Sequence, residues 1–578
     1  VPHQTPRPRS LAQIRIQQLK PFRMSHISKI SIKNYRGIQN LTYDFGEERF
    51  IVLLGRGDSG KSTILSAIYS VLTPSWNLAF SDLDFYNQDT TKPIEIELTL
   101  NELPKEFIKE QKFGLYLQNN LEEGCQEKDL TIVLKLTVDE TLEPHWVVKA
   151  KPDSANDDKP ISGTDRALLA VNYISDYTDN QFSYNKQSPL YTLTKASLEE
   201  GVTIERVKSQ LLRTMSDSID DSAIKPLNTP LEELKKTAEM LGLTVSELSA
   251  KIDVKENPYT GNSIALHNDS LPYRLQGKGS KRLMSIAIQS ELTKQGGIVL
   301  VDELEQGLEP DRIITLVRKL KETKEGQVFI TTHSLNVVLE ADWHNILVLC
   351  KDEPSLLPVD KALDPCRRSN PQVLFAKKII CCEGRTEQGF MRAIDAWLWN
   401  TKRTTLSSKG VVIADCGGGN NMYAYASKLK ALKYEACVFA DDDKFTELRK
   451  AKFDATNQGV ALFLCEEGNF LEKQLFKDLP WESIINLVRC DKDNLPSKHI
   501  RFSEQESSSI QDASVSEQNS IRETLAQKSI VEDKEWFKTM YGGEFLGDMF
   551  VKAFDSMDSD THIKKTVTEL LSWCGVSV

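Results

Sequence analysis

The sequence predicts an α/β protein of several domains, and three observations carry that reading. A phosphate-binding loop, GRGDSGKS at 55–62, follows the apolar strand FIVLL and opens a helix. A second apolar strand, IVLV, ends in adjacent acids within IVLVDELEQGLEP. Past residue 377, short apolar strands alternate with segments long enough for crossover helices, the pattern of a small parallel sheet. The length of 578 residues fits several cores at about 100–200 residues each.

Composition narrows the class. Hydrophobic residues at 40% and charged residues at 27% match a folded protein rather than a disordered or fibrous one. No apolar run approaches the roughly 20 residues a bilayer requires, so no membrane partner is expected. The net charge of −11 excludes attraction of nucleic acid by the molecule as a whole. It leaves room for a local basic groove, because salt screens charges beyond about 8 Å. Ten cysteines without a C-x-x-C pair argue against zinc ribbons and disulfide scaffolds and for a reducing, cytoplasmic location.

Along the chain, residues 1–23 carry five basic residues, no acid and no apolar core of a secretory signal. They read as a flexible basic extension, from upstream translation or expression design, with a nucleic-acid arm as the alternative. Residues 24–365 read as one α/β domain. Alternating segments at 94–100 and 130–138 predict half-buried antiparallel strands. The strand signal fades over 150–265, an insertion that could serve dimerisation. There Thr229 and Pro230 start a helix with Leu231, Leu234, Ala238 and Leu241 on one face, read as core or dimer surface. Residues 366–490 carry the strands KIICC (378–382), VVIA (411–414), CVFA (437–440) and ALFL (461–464). The final part, 491–578, opens with a Ser/Glu-rich stretch at 503–519, expected to be a mobile loop, and closes in helices.

The phosphate loop fits G-x-x-x-x-G-K-[ST]. Gly55, Gly57, Asp58, Ser59 and Gly60 would turn backbone N–H groups onto the β-phosphate of ATP, and Lys61 would neutralise the β and γ oxygens. Ser62 would hold Mg²⁺, and Thr63 continues the helix start. Asp302 suits the metal's outer partner, and Glu303 the base that polarises an attacking water. His333, just past the strand VFITT, could reach the γ-phosphate. Gly277 and Gly279 lie in LQGKGSKR, a glycine-rich turn opening a helix.

In chain order, the phosphate loop at Gly55–Ser62, the turn at Leu275–Arg282, Asp302 with Glu303, and His333 resemble ABC-type ATPases of the RecF, SMC and Rad50 kind. The resemblance implies that the turn with Gly277 and Gly279 completes a partner subunit's ATP site, and hence a homodimer or higher oligomer. Gln276 stands where the family has its signature serine, which implies weak contact and slow turnover.

In the second part, KIICC ends in EGRTE and CVFA in DDD. If the crossovers are right-handed, Glu383, Asp441 and Asp443 converge at one sheet edge. Acids gathered there need a divalent cation, and hard oxygens suit Mg²⁺ or Mn²⁺. Glu472 could reach the same edge, with Glu466 and Glu467 as competitors. DCGGGN at 415–420 is either a phosphate cradle or a plain turn.

E-G-x-T-E followed by D-x-D resembles a Toprim domain. Behind an ABC-type ATPase, the combination is similar to the OLD family of ATP-dependent endonucleases. The resemblance implies metal ligands at Glu383, Glu387, Asp441, Asp443 and Glu472, and a phosphate-stabilising lysine at Lys564 or Lys565. It implies double-stranded DNA such as phage DNA as substrate and a role in anti-phage defence. In one branch of the family the partner is a retron reverse transcriptase with its RNA-linked DNA.

The expectation is therefore a metal-dependent endonuclease gated by an ATPase dimer, with two Mg²⁺ about 3.5–4 Å apart serving in-line attack. The rival reading is a DNA-end-binding or sensor ATPase whose Toprim part binds metal and scaffolds partners. A strand-passage topoisomerase would need a catalytic tyrosine in a separate DNA-binding domain, which no segment suggests.

Overall fold

The computed structural model describes residues 25–118, 130–151, 156–174, 182–184, 188–198, 203–207, 227, 230–252, 264–293, 297–322, 326–350, 354–443, 445–531 and 535–578. The basic extension at 1–23 and Thr229 lie outside them. The chain divides into two compact units, 1–53 with 60–340 and 54–59 with 341–578.

In the first unit, β1 (His26–Tyr35) and β2 (Ile38–Asp44) form a hairpin, β3 (Phe50–Leu54) ends where residues 54–59 pass to the second unit, and α1 (Lys61–Leu72) follows. An antiparallel sheet continues from β1 through β4 (Ile94–Asn101), β5 (Ile132–Val138), β6 (Pro144–Val148) and β7 (Lys159–Pro160). The alternation expected for β4 and β5 is present: Ile94, Ile96, Leu98 and Leu100 face the core with Ile132, Leu134, Leu136 and Val138. On the outer face of β4, Glu95 pairs with Lys33 of the neighbouring β1 and Glu97 with Lys149, just past β6.

The insertion holds more strand than its composition suggests. β8 (Val171–Ile174) is the edge of a parallel sheet, and α2 (Leu231–Met240) precedes a small antiparallel sheet of β9 (Leu248–Ile252), β10 (Ile264–Asn268) and β11 (Leu271–Pro272). β8 is short and only half-buried, so tertiary pairing with β12, rather than its own pattern, makes it a strand. Leu231, Leu234, Ala238 and Leu241 are buried within the chain, where α2 lies on α3 (Lys278–Thr293). They are core rather than a free dimer surface.

After α3 come β12 (Ile298–Val301), α4 (Pro310–Lys321) and β13 (Gln327–Thr331). Strands β3, β13, β12 and β8 run parallel in that order. β3, β12 and β13 are buried on both faces, as continuous apolar runs should be. Their C-terminal ends deliver the phosphate loop, Asp302 and the turn carrying His333 to one edge.

The second unit opens with the antiparallel pair β14 (Ile346–Cys350) and β15 (Ser355–Pro358). The four apolar strands follow as β16 (Lys378–Cys382), β17 (Val411–Asp415), β18 (Glu435–Ala440) and β19 (Ala461–Leu464). They form one parallel sheet in the order β17-β16-β18-β19. The helices α5 (Arg385–Lys402), α6 (Asn421–Ala431) and α7 (Phe445–Asn457) alternate with them, and α8 (Leu471–Asp478) follows β19.

The polar stretch expected to be a mobile loop is helical instead, as α9 (Glu504–Gln511) and α10 (Val515–Ser529). Each begins with a reciprocal cap, Ser503 with Glu506 and Ser514 with Glu517, which satisfies N–H groups that the first turn leaves orphaned. Polar composition hid two S-x-x-E helix starts. The chain ends in α11 (Met540–Ala553) and α12 (His562–Cys574), whose apolar faces share one core with β16, β18 and α5. Among the described residues no helix is long and apolar enough to cross a membrane.

Candidate functional site

The phosphate loop leaves β3 with left-handed backbone at Asp58 (φ 58°) and Gly60 (φ 100°). A Cβ on Gly55 would lie 2.6 Å from Ser59 Oγ, whereas Gly57 has open space around it. Lys61 is buried, Ser62 is exposed and Thr63 half-buried on the first turn of α1. Asp302 collects three donors: Ser62 Oγ at 2.9 Å and Thr331 Oγ1 at 2.6 Å on Oδ1, and the Tyr173 hydroxyl at 3.3 Å on Oδ2. A loop hydroxyl bonded to a strand-end carboxylate is the donor set that holds Mg²⁺ beside a nucleotide, so the residues fit the group.

Glu303 adopts φ 47°, an unusual conformation for a glutamate. Its N–H donates to Thr331 Oγ1 at 2.8 Å, and its carbonyl accepts from Arg282 at 3.0 Å. Arg282 also donates to the Asp302 carbonyl. The helix that begins at the glycine-rich turn therefore holds the backbone of both acids. Gly279 closes on the Gly307 carbonyl, 2.6 Å from where its Cβ would stand, so this glycine serves a contact within the chain. Gly277 is exposed with nothing near it. His333 is exposed, and Glu305, which the sequence reading passed over, fixes its turn by accepting from His333 N–H at 2.5 Å and Thr332 Oγ1 at 2.6 Å.

The second site follows from strand register. Cys382 of β16 pairs with Phe439 of β18, so Glu383 and Asp441 leave neighbouring parallel strands at the same edge. Strand neighbours lie about 4.8 Å apart. Glu387, one turn into α5, accepts from Gly384 N–H at 2.8 Å and is buried. Asp441 accepts from Leu471 N–H at 2.7 Å, which ties it to the start of α8, where Glu472 is 1% exposed. Asp442 forms a buried ion pair with Lys452, donates its N–H to Asn469 O and accepts at its own carbonyl from Gly468 N–H, each at 2.9 Å. These bonds lock the D-x-D turn to the loop before Glu472. Asp443 is exposed beside it.

The acids at this edge also act on one another electrostatically. Burial, and then the charges of Glu472 and Glu383, push the Glu387 carboxyl up to about 7. Burial, then Glu387, Glu472 and Glu383, raise Asp441 well above the carboxylate range. Burial raises Glu472 against the pull of Lys538. Partial burial lowers the Lys538 ammonium, but the field of Glu472, Asp441, Glu387 and Glu383 outweighs it and holds the group above the ordinary lysine value.

Among the described residues no three His, Cys, Asp or Glu side chains already close around a point where an ion could sit. Both Glu472 oxygens are buried without a hydrogen-bond partner, which is the state of a ligand awaiting a positive group. The hard-oxygen donors and this orphaned carboxylate fit a divalent cation held by Glu383, Glu387, Asp441 and Glu472. Of the competitors, Glu466 pairs with Lys477 and Glu467 faces solvent.

The lysine at this edge is Lys538, which sequence reasoning missed. Lys564 donates to the Met557 carbonyl at 2.8 Å and lies over the Phe554 ring, while Lys565 pairs with Asp560. Lys538 sits between Phe537, whose carbonyl accepts from Thr386 Oγ1 at 3.1 Å, and Thr539, the N-cap of α11. The readable signal was the glycine pattern after it. A Cβ on Gly543 would lie 2.0 Å from Thr386 O, and one on Gly389 would lie 2.2 Å from Met540 O. α11 and α5 thus touch backbone to backbone, which returns residue 538 to the turn bearing Glu387. The 415–420 segment is a turn whose Gly418 N–H donates to the Glu383 carbonyl at 2.7 Å.

Two family models match the chain: an AAA ATPase domain over residues 26–338, more than half of the sequence, and an "Overcoming lysogenization defect protein-like, TOPRIM domain" over 374–443. Endonuclease GajA of Bacillus cereus (strain VD045) is 25% identical over 394 residues, 62% of this chain and 66% of that protein. The chain thus matches just under two thirds of that relative's length. An ATP/GTP phosphatase of Helicobacter pylori is 22% identical over 380 residues, 57% of this chain and 94% of that protein. Among solved structures, an Smc head bound to the C-winged helix domain of ScpA aligns at TM-score 0.37 and 16% identity, over 58% of this chain and 99% of that one. The recombination mediator RecF aligns at TM-score 0.34 and 13% identity, over 59% and 100%. With its nucleotide loop inside the first matched region and its acidic strand ends inside the second, the chain belongs to the AAA ATPase family and joins it to an OLD-like TOPRIM domain.

Proposed function

We propose that the protein is an ATP-hydrolysing, divalent-cation-dependent DNA endonuclease of the OLD type, active as a dimer whose nucleotide state gates cleavage. One observation carries the reading: Glu383, Glu387, Asp441 and Glu472 gather at a single sheet edge with Lys538, and both Glu472 oxygens lack a partner. Such a concentration of buried negative charge is costly for stability and useful for holding Mg²⁺ or Mn²⁺.

When bound, the cation supplies an activated water and offsets charge on a phosphodiester. The chain's own residues do the rest. The Leu471 N–H ties Asp441 to the start of α8, the turn that carries Glu472, before substrate arrives. Lys538 is exposed and kept cationic by its neighbours, which suits it to the charge that builds on the phosphoryl oxygens. In the ATPase part, Lys61 and Ser62 bind nucleotide, and Glu303 orients the attacking water. The OLD resemblance supports phage DNA as substrate and a place in anti-phage defence.

The test is nicking of supercoiled plasmid with Mg²⁺ or Mn²⁺. Glu383→Ala and Asp441→Ala should each abolish nicking while ATP binding persists, and Lys61→Ala should lose ATP binding. A wild-type chain that binds cation and DNA but never cuts would instead favour the sensor ATPase reading.

A further inference from the structure

The Toprim site contains a buried hydroxyl that the chemistry above does not use. Tyr423 lies in the first turn of α6, is 1% exposed, and its hydroxyl has no hydrogen-bond partner. Buried polar atoms almost always find partners, so an orphaned O–H inside a functional edge calls for an explanation.

Topology places this hydroxyl. α6 follows β17 in a parallel sheet, so its first turn lies at the C-terminal strand edge, where β16 ends in Glu383 and β18 in Asp441. α6 packs across both strands. The loop before it is bonded to Glu383: Gly418 N–H donates to the Glu383 carbonyl at 2.7 Å, and a Cβ on Gly418 would lie 3.9 Å from Glu383 Oε1. Burial, and then the charges of Asp442, Glu383 and Asp441, raise the Tyr423 phenol, so the group is a donor at any working pH.

Glu383 is half-exposed and reached by the loop that starts α6. We propose that Tyr423 is a positioning residue: its hydroxyl donates a hydrogen bond to the Glu383 carboxylate when the site takes up a divalent cation, orienting one oxygen towards the ion. The partners behind metal ligands orient them and raise affinity in this way. The inference rests on the proposed cation site. Nothing is transferred in the step, since the phenol keeps its proton.

The experiment is calorimetric titration of Mn²⁺ into the full-length chain without nucleotide, for wild type, Tyr423→Phe, Glu383→Gln, the double variant and Asp441→Ala. Tyr423→Phe removes one oxygen and should weaken Mn²⁺ binding about tenfold. Its melting temperature in chelator should not fall, because the hydroxyl has no partner there. In the Glu383→Gln background the Tyr423→Phe change should have no further effect. Wild-type affinity in Tyr423→Phe, with binding lost in Asp441→Ala, overturns this inference alone. Full additivity of Tyr423→Phe and Glu383→Gln overturns the assignment to Glu383. A wild-type chain that takes up no Mn²⁺ overturns both this inference and the proposed nuclease.

Discussion

Lys538 and Lys564 are both C-terminal lysines, yet their surroundings give them different work. The charge of Lys538 is balanced by four carboxylates, whereas Lys564 spends its donors on a carbonyl and its stem on the Phe554 ring. Lys538→Ala should therefore lower the rate of plasmid nicking at saturating Mn²⁺ by about 10²–10³-fold, the usual cost of removing a donor aimed at developing charge. Lys538→Arg should restore part of it. Lys564→Ala should leave the rate within a few-fold of wild type and lower the melting temperature instead. Equal losses in both variants would remove Lys538 from the proposed mechanism. The acids were legible in the sequence because Glu383 and Asp441 each follow an apolar strand, and strand order alone brings them together. Lys538 was not, because it follows no strand end and its return to the site depends on how α11 meets α5.

That meeting is an element-scale device made of missing side chains. Gly389, Gly543 and Gly547 let the two helices approach so closely that a methyl on Gly543 would overlap the Thr386 carbonyl at 2.0 Å, and one on Gly547 would meet Ala393 Cβ at 2.5 Å. Thr386 and Glu387 are adjacent, so the contact that admits α11 also holds the turn bearing a proposed ligand. Gly543→Ala should push the helices apart, costing about 1–3 kcal/mol of stability, and should displace Lys538 from the acidic edge. Plasmid nicking should fall sharply while ATP hydrolysis stays near wild type, since α5 and α11 both belong to the second unit. Unchanged nicking in a folded variant would break the link between this helix pair and the site. Helix starts were also readable in principle: Ser503 with Glu506 and Ser514 with Glu517 are capping boxes, and only the polar composition around them suggested a loop. β8 is different: Val171, Tyr173 and Ile174 favour a strand, but a run of four residues is fixed as one only by its partner β12.

At the scale of the molecule, two compact units each carry a parallel sheet with acids at its C-terminal edge, one set matched to a nucleotide and the other to a divalent cation. A net charge of −11 gives no general pull on DNA, so the proposed DNA contact rests on a local surface. In the proposed function the ATPase is the switch, and Glu303 is where that switch can be tested. Its left-handed backbone is held by Thr331 on one side and by Arg282, from the helix of the glycine-rich turn, on the other. The turn proposed to meet a partner's nucleotide is thus joined through Arg282 to Glu303, the residue proposed to polarise water. Glu303→Gln keeps both backbone bonds and removes only the base, so ATP should still bind while its turnover falls on the order of 10²-fold or more. Light scattering should then show a dimer accumulating with ATP and dispersing when nucleotide is removed. Because the cation site is intact in this variant, its nicking rate with ATP reports gating directly. It should differ from the nucleotide-free rate in a fixed direction, and identical rates with a stable ATP-bound dimer would show that the two activities share a chain without being coupled.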